Sequence, residues 1–195
     1  MARTATIERN TKETQISVQL DLDGGEVQVN TGIGFFDHML NLMTAHGLMD
    51  LTLACDGDID VDGHHSVEDI GITLGQAFKQ AIGDKKGIRR YGTFYLPMDE
   101  ALAFVSLDIS GRSFLVYDDG GEMAPMIGGY DTELTEEFLR AFAVNAGITQ
   151  HVRVLYGKNS HHKVEAIFKA LGHALRIAVE KDPRVDGIPS TKGSL

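Results

Sequence analysis

Two short segments of this chain place adjacent histidines one helical turn before a glutamate. The first is His64–Glu68, with the letters HHSVE, and the second is His161–Glu165, with the letters HHKVE. Together they hold four of the eight histidines in the chain. Imidazole and carboxylate ligands without thiolate favour a first-row metal such as Mn²⁺, Fe²⁺, Co²⁺ or Zn²⁺. The general order in which such ligands bind divalent metals does not by itself identify which of these is bound. We call these segments the first and second HHxxE modules.

The spacing within each module limits how its side chains can share an ion. Neighbouring residues on a helix point about 100° apart, whereas residues three and four apart share a face. The two histidines of a pair therefore cannot easily bind one ion together, but the glutamate can join either of them. Each module is predicted to contribute to two separate metal sites, with imidazoles drawn from both halves of the chain or from neighbouring subunits. A single pair could instead cap a helix or line a subunit contact, but two matched pairs favour metal.

The modules lie in matching positions of an internal repeat. GHHSVEDIGITLGQAF at 63–78 and SHHKVEAIFKALGHAL at 160–175 share HH, VE, an isoleucine, Leu-Gly and an alanine at the same offsets. Such self-similarity indicates duplication. We expect a first half at 1–91 and a second half at 92–195, packed as one structural unit.

Alternation and helical spacing predict the same element order, β-β-β-α-β-α, in each half. The fold class is therefore α+β, with helices packed on one face of mostly antiparallel sheets. The predicted strands are 4–8, 15–21, 26–30, 50–55, 92–97, 102–109, 113–117 and 148–155, and the predicted helices are 35–45, 64–82, 132–145 and 161–180.

Further ligand candidates lie on the helix that precedes each module. His38 is on the predicted helix 35–45, and Glu137 occupies the corresponding place in the second half. Taken alone, His38 could be a packed polar residue and Glu137 a solvated carboxylate. His46 and His151 are weaker candidates, since His46 could cap its helix and His151 lies in a strand.

A few cations stand out because the chain is acidic, with a net charge of −10. Arg90, Arg112, Lys169 and Lys192 are each interpretable as ordinary surface charges, but Lys169 lies four residues after Glu165 and shares its helix face. Arginine presents a planar fork that suits phosphate oxygens. The pattern predicts a phosphorylated substrate held by metals at one end and by cations at the other.

Composition excludes several classes of function. The negative charge argues against general nucleic-acid binding, which needs a basic field. The single cysteine, Cys55, excludes an internal disulfide and indicates a reducing compartment. The sequence carries neither a secretory signal pattern nor a membrane span. We therefore expect a cytoplasmic protein without membrane or nucleic-acid partners.

The motifs, taken in order, resemble those of imidazoleglycerol-phosphate dehydratases of histidine biosynthesis. The resemblance runs from Glu8 to Leu195 and includes GIGFFDHML, AHG at 45–47, DGHHSVEDIGI, KGIRRYG, DEAL, SGR, GGYDTEL, NSHHKVEAIFKA and IPSTKG. It implies conversion of D-erythro-imidazole glycerol phosphate to imidazole acetol phosphate and water. It also implies two Mn²⁺ per active site, sites formed between subunits of a 24-subunit shell, and halves like domain 2 of ribosomal protein S5.

The resemblance also implies roles for individual residues. Position 137 often carries histidine in the family, so Glu137 departs from the pattern, although glutamate is a competent Mn²⁺ ligand. Glu13 matches a family acid/base glutamate, and Glu68 and Glu165 are included among the catalytic residues. The implied metal ligands are His38, His64, His65, Glu68, Glu137, His161, His162 and Glu165, and the implied substrate contacts are Glu13, His38, His46, Arg90, Arg112, Lys169, Ser190 and Lys192.

The chemistry explains why such a reaction needs metals. The proton to be removed lies on a carbon that no carbonyl acidifies. Two metals on the ring nitrogens would favour an imidazolate, which could expel the hydroxyl group of the adjacent carbon as a diazafulvene forms. The metals then act as Lewis acids and as a template, while a carboxylate moves protons.

Two other classes of function use the same residue types. A dinuclear phosphatase would place the phosphate on the metals and attack it with metal-bound hydroxide. A metal-storage or metal-stabilised shell would use interface metals only to hold subunits together. Storage explains neither the cations nor IPSTKG, so the sequence favours the dehydratase.

Overall fold

The structure is a computed structural model that describes residues 2–195. Within that range, no helix combines the length and apolar character needed to cross a bilayer. The strands are β1 Thr4–Asn10, β2 Thr14–Asp21, β3 Val27–Asn30, β4 Asp50–Gly57, β5 Tyr91–Met98, β6 Ala101–Asp108, β7 Phe114–Asp118, β8 Met126–Ile127, β9 Tyr130–Asp131 and β10 Thr149–Tyr156, and the helices are α1 Gly34–Gly47, α2 His64–Ile82, α3 Leu134–Ala146 and α4 Ser160–Val179.

Two four-stranded sheets share one topology. The first has the order β1-β2-β4-β3 and the second has the order β5-β6-β10-β7. In each sheet two strand pairs are antiparallel and the last pair, β3 with β4 or β7 with β10, is parallel. The predicted α+β class and its duplication are thus confirmed, while the boundary at 91/92 stays a prediction.

The segment between β7 and α3 departs from the predicted element order. It contains a small hairpin of β8 and β9 that the sequence patterns did not indicate. Helix α3 begins at Leu134, two residues later than predicted, because Thr132 and Glu133 form the turn that leads into it.

Strand alternation determines which side chains reach the core. In β2 the buried positions are Thr14, Ile16, Val18 and Leu20, while the residues between them face solvent. Side chains of a strand alternate between the two faces of its sheet, so each sheet presents one apolar face. That face is covered by helices.

The four helices lie between the two sheets. Helix α2 packs on the first sheet and α4 on the second, and across the middle α1 packs against α4 while α2 packs against α3. The buried side chains form one continuous core that includes residues of both halves. Each helix pair therefore brings together one helix from each half.

The repeated Leu-Gly pair marks the points where these helices cross. A Cβ atom on Gly75 would lie 2.8 Å from the carbonyl oxygen of Phe142, and one on Gly172 would come closer still to the carbonyl oxygen of Met43. Real Cβ atoms do not approach so closely, so both crossings require glycine. Met43 and Phe142 are thus equivalent positions, and His38 and Glu137 each lie five residues before them.

Candidate active site

The second HHxxE module meets His38 at the start of the α1–α4 crossing. His161 Nε2 lies 2.9 Å from Glu165 Oε2, and His38 Nε2 lies 3.6 Å from the same oxygen. One donor atom from each of these three side chains falls within 4.8 Å of the others. Ligand atoms about 2.0–2.2 Å from a first-row ion such as Zn²⁺ are separated by at most about 4.4 Å, so small movements would let them share one ion.

Helix α4 holds this module firmly. Asn159 caps the helix, and its side-chain oxygen accepts the backbone N–H groups of His161 and His162. Glu165 is only 7% exposed and lies 2.5 Å from the ammonium group of Lys169. Burial opposes ionisation of Glu165, but hydrogen bonds from Lys169 and His161 outweigh it and hold the pKa of the carboxyl below its usual range. Glu165 is therefore an anionic side chain already held in place, and it remains a ligand candidate.

The first module is more open. His64 Nε2 is 4.0 Å from Glu68 Oε2, and the side chain of Glu68 is 46% exposed. Helix α2 begins after Gly63, which provides no capping side chain, although Asp62 accepts the N–H of His64. The side chains of the first module could bind an ion, but among residues 2–195 they are not brought together into a group of three ligand candidates.

The remaining histidine of each pair points toward a carboxylate outside its module. His65 Nδ1 lies 2.9 Å from Asp58, and His162 Nδ1 lies 2.7 Å from Glu100. Each hydrogen bond raises the pKa of its imidazole. The carboxylate of Glu13 lies 3.9 Å from His65 Nδ1. Glu13 is therefore beside the first module, where an acid/base residue of this site would have to lie.

Sequence reasoning missed Asp58 and Glu100. The Glu100 carboxylate accepts the backbone N–H groups of Asn159 and Lys158 as well as binding His162. These bonds lower the pKa of Glu100 to about 2, the N–H of Asn159 contributing most. The DEAL motif contained the signal for Glu100, whereas no pattern distinguished Asp58 from its acidic neighbours.

Glu137 is not assembled with other ligand candidates among residues 2–195. Its carboxylate instead pairs with Arg140, with both oxygens 2.9 Å from Nη1. Its position is equivalent to that of His38, as the helix crossings show, but its role as a ligand stays a prediction.

The structure gathers most of the predicted phosphate-binding residues in one cavity of about 690 Å³. Arg112 is 69% exposed, and its Nη2 lies 3.7 Å from Asp108 Oδ2 in a loose ion pair. Arg90 is held by Asp108, with Nε and Oδ1 2.7 Å apart, and donates to the carbonyl oxygen of Pro189. It thereby anchors the IPSTKG segment against the second sheet. The cavity is lined by Arg90, Tyr91, Arg112, Pro189, Ser190, Thr191, Lys192, Ser194 and Leu195.

Lys169 and His46 lie elsewhere, along the α1–α4 groove. Lys169 contacts Glu165, and His46 follows farther along, its ring 5.0 Å from that of His173. Burial, and then the charge of Lys169, lower the pKa of His46. His151, the other weaker histidine candidate, is exposed on β10.

A family model described as Imidazoleglycerol-phosphate dehydratase matches residues 31–175. Curated relatives of the same description are similar over nearly the whole chain. One from Clostridium botulinum (strain Kyoto / Type A2) is 60% identical over 192 residues, covering 98% of this chain and 97% of the relative. One from Ruminiclostridium cellulolyticum is 58% identical over 194 residues, covering 99% of this chain and 100% of the relative.

Solved structures agree with the sequence relatives. The imidazoleglycerol-phosphate dehydratase of Staphylococcus aureus subsp. aureus N315 superposes with a TM-score of 0.83 at 42% identity, covering 92% of this chain and 99% of that one. The enzyme of Pyrococcus furiosus also gives 0.83, at 36% identity, covering 97% and 100%. The two HHxxE modules, the duplicated fold and these similarities lead to one conclusion: the chain belongs to the imidazoleglycerol-phosphate dehydratase family, whose members are hydro-lyases.

Proposed function

We propose that this chain converts D-erythro-imidazole glycerol phosphate to imidazole acetol phosphate and water in histidine biosynthesis, with two Mn²⁺ ions per active site. The observation that carries the proposal is the convergence of His38, His161 and Glu165 from both halves of the chain. Two bound ions would supply Lewis acidity at the two ring nitrogens and favour loss of the ring proton.

Glu13 is the proposed acid/base residue. Its carboxylate accepts no hydrogen bond from residues 2–195 and is more than half exposed beside His65. It is therefore available to take a proton from substrate and to return one, whereas Glu165 is occupied by Lys169 and His161. A positioned acid/base group contributes a factor of about 10²–10⁴ in rate.

The cations would bind the phosphate end of the substrate. Arg112 and Lys192 line the cavity and bring positive charge to a chain that is acidic overall. Arg90 shapes that cavity through Pro189, and Ser190 offers a hydroxyl group. Lys169 lies instead beside Glu165 and does not line this cavity. We propose that assembly with another subunit brings both regions to one substrate.

The incomplete set of metal ligands in one chain also supports self-association. The ligand group within one chain provides three donor atoms, fewer than the six that an octahedral Mn²⁺ site takes. His64, His65, Glu68, His162 and Glu137 remain to complete the sites when chains assemble. We propose that they do so between subunits of a 24-subunit shell in the cytoplasm, with Glu137 in place of the usual histidine.

Product analysis tests this proposal against its rivals. The metal-free protein is reconstituted with Mn²⁺ and incubated with the substrate, and the ketone product and inorganic phosphate are both quantified. A dehydratase forms the ketone without releasing phosphate, and chelation abolishes the reaction. Released phosphate would identify a dinuclear phosphatase, and metal binding without turnover would identify a storage protein.

Two arginine substitutions, one inside the cavity and one outside it, test the phosphate assignment. Arg112→Met removes a cavity cation and should raise the KM about tenfold or more, because a charge-assisted hydrogen bond contributes about 1.5–3 kcal/mol. Arg153→Met removes another exposed arginine, which is 56% exposed and pairs with Asp118 outside the cavity, and should leave the KM unchanged. Equal KM values for the two variants would contradict the phosphate assignment.

A further inference from the structure

Glu100 connects three separate parts of the second half. It lies in the turn between β5 and β6, and its Oε1 accepts the backbone N–H groups of Lys158 and Asn159 just before α4. Its Oε2 lies 2.7 Å from His162 Nδ1. One carboxylate thus holds both the entry of the helix and an imidazole of the second module.

The contact determines which nitrogen of His162 carries a proton. An ionised carboxylate can only accept hydrogen bonds, so Nδ1 must donate. The other nitrogen, Nε2, is then unprotonated in the neutral ring and presents a lone pair. A metal ligand is oriented in the same way when its second ring nitrogen donates to a carboxylate.

The first half reaches the same arrangement with a different residue. Glu13 and Glu100 are equivalent, because each directly precedes the second strand of its hairpin, β2 at Thr14 and β6 at Ala101. Yet His65 Nδ1 is bonded by Asp58 at 2.9 Å, from the segment after β4, while Glu13 stays at 3.9 Å. The duplicated hairpin glutamates have therefore diverged: Glu100 hydrogen-bonds its histidine, whereas Glu13 lies beside its histidine without a hydrogen bond.

We infer that Glu100 is the positioning residue that orients His162 for metal binding, and that Asp58 takes this role for His65 and so leaves Glu13 available to the substrate. The inference rests on the metal site of the proposed function. Second-sphere partners of this kind typically change metal affinity or activity by about 10–100-fold.

The test compares three substitutions in the full-length protein by titrating the metal-free form with Mn²⁺. Glu100→Gln retains an oxygen for the backbone N–H groups but turns an amide donor toward Nδ1, which favours the tautomer that closes Nε2. We expect its Mn²⁺ affinity to fall about 10–100-fold. Asp58→Asn should produce a similar loss through His65.

Asp99→Asn is the matched control. Asp99 is the neighbour of Glu100, and its substitution removes the same charge. Its carboxylate lies 3.8 Å from His162 Nε2, beyond hydrogen-bond distance, whereas Nδ1 is bonded by Glu100. Its Mn²⁺ affinity should stay within about threefold of the parent chain. If Asp99→Asn lost as much Mn²⁺ affinity as Glu100→Gln, removal of a negative charge would explain both losses, and the positioning role of Glu100 would be overturned.

The thermal midpoint of the metal-free protein separates positioning from a purely structural role. Glu100→Gln should leave it nearly unchanged, whereas Glu100→Ala, which frees two backbone donors, should lower it. A folded Glu100→Gln variant with parental Mn²⁺ affinity would overturn the inference. If the parent chain itself binds no Mn²⁺, the proposed metal site fails instead, so the two failures are distinguishable.

Discussion

The two HHxxE modules carry nearly the same residues in different surroundings. Glu165 is 7% exposed and ion-paired with Lys169, whereas Glu68 is 46% exposed and Ile72 takes the place of Lys169. Asn159 caps the second module, and Gly63 cannot do so for the first. Duplication has thus preserved the donor set while the supporting residues diverged, leaving one module assembled within the chain and the other open.

The largest expected effect comes from comparing the two hairpin glutamates. Glu13→Gln should lower kcat by about 10²–10⁴-fold, because it removes the proposed proton carrier, while Mn²⁺ affinity stays at the parental value. Glu100→Gln should instead lower the affinity for Mn²⁺. Steady-state kinetics together with metal titration of both variants distinguish these roles, and full activity in Glu13→Gln would remove Glu13 from the mechanism.

The helix crossings give the next largest effect. Alanine at Gly172 would press on the carbonyl oxygen of Met43, and alanine at Gly75 would press less closely on that of Phe142. Overpacking costs about 1–3 kcal/mol, so we expect about 3 kcal/mol for Gly172→Ala and about 2 kcal/mol for Gly75→Ala.

Urea unfolding of the metal-free protein measures both values. Gly25→Ala is the control, since a Cβ there would meet nothing within 4 Å, and it should change the free energy of unfolding by less than about 0.5 kcal/mol. Unchanged stability in Gly172→Ala would show that the crossing tolerates a side chain.

Substitution of the glutamate should lower the stability of the protein more in the second HHxxE module than in the first. Glu165→Gln leaves the mostly buried ammonium group of Lys169 without its anion and should cost roughly 2 kcal/mol, below the range for fully buried pairs because some solvent reaches the group. Glu68→Gln should be nearly neutral, since the side chain is exposed. Thermal unfolding of the metal-free variants checks this contrast, and equal midpoints would contradict it.

The smallest effect concerns pH. Burial, followed by the charges of His46 and Arg176, lowers the pKa of His173 below 6.5 in the folded chain. Between the folded-state pKa and pH 6.5 the unfolded chain therefore binds more protons at this position than the folded chain does, and the free energy of unfolding falls as pH decreases through this window.

The first half carries Gln76 at the position equivalent to His173. His173→Gln should consequently reduce the dependence of unfolding free energy on pH below 6.5, although loss of the stack on Phe94 lowers stability at every pH. Urea titrations of the metal-free protein at several pH values give the slope. An unchanged slope would assign the dependence to other groups.

Much of the architecture could be predicted because it depends on local patterns. Alternation in β2 and the helical spacing around the modules located these elements to within a few residues. The β8–β9 hairpin escaped prediction because strands of two residues are too short to show a period. The roles of Asp58 and Glu100 escaped it because each acts on a histidine that is distant in sequence or lies across a turn.

The sequence by itself determined the donor types, the duplication, the acidic charge and the membership of the family, since all of these are properties of residue identity and order. Only the tertiary structure decided that His38 joins the second module rather than the first, because α1 packs on α4 across the two halves. Helix pairing of this kind depends on contacts between surfaces far apart in the chain. The hydrophobic periodicity of one segment does not indicate which other helix it packs against. Tertiary contacts within each half likewise decided that Glu100 bonds His162, whereas Asp58 rather than Glu13 bonds His65.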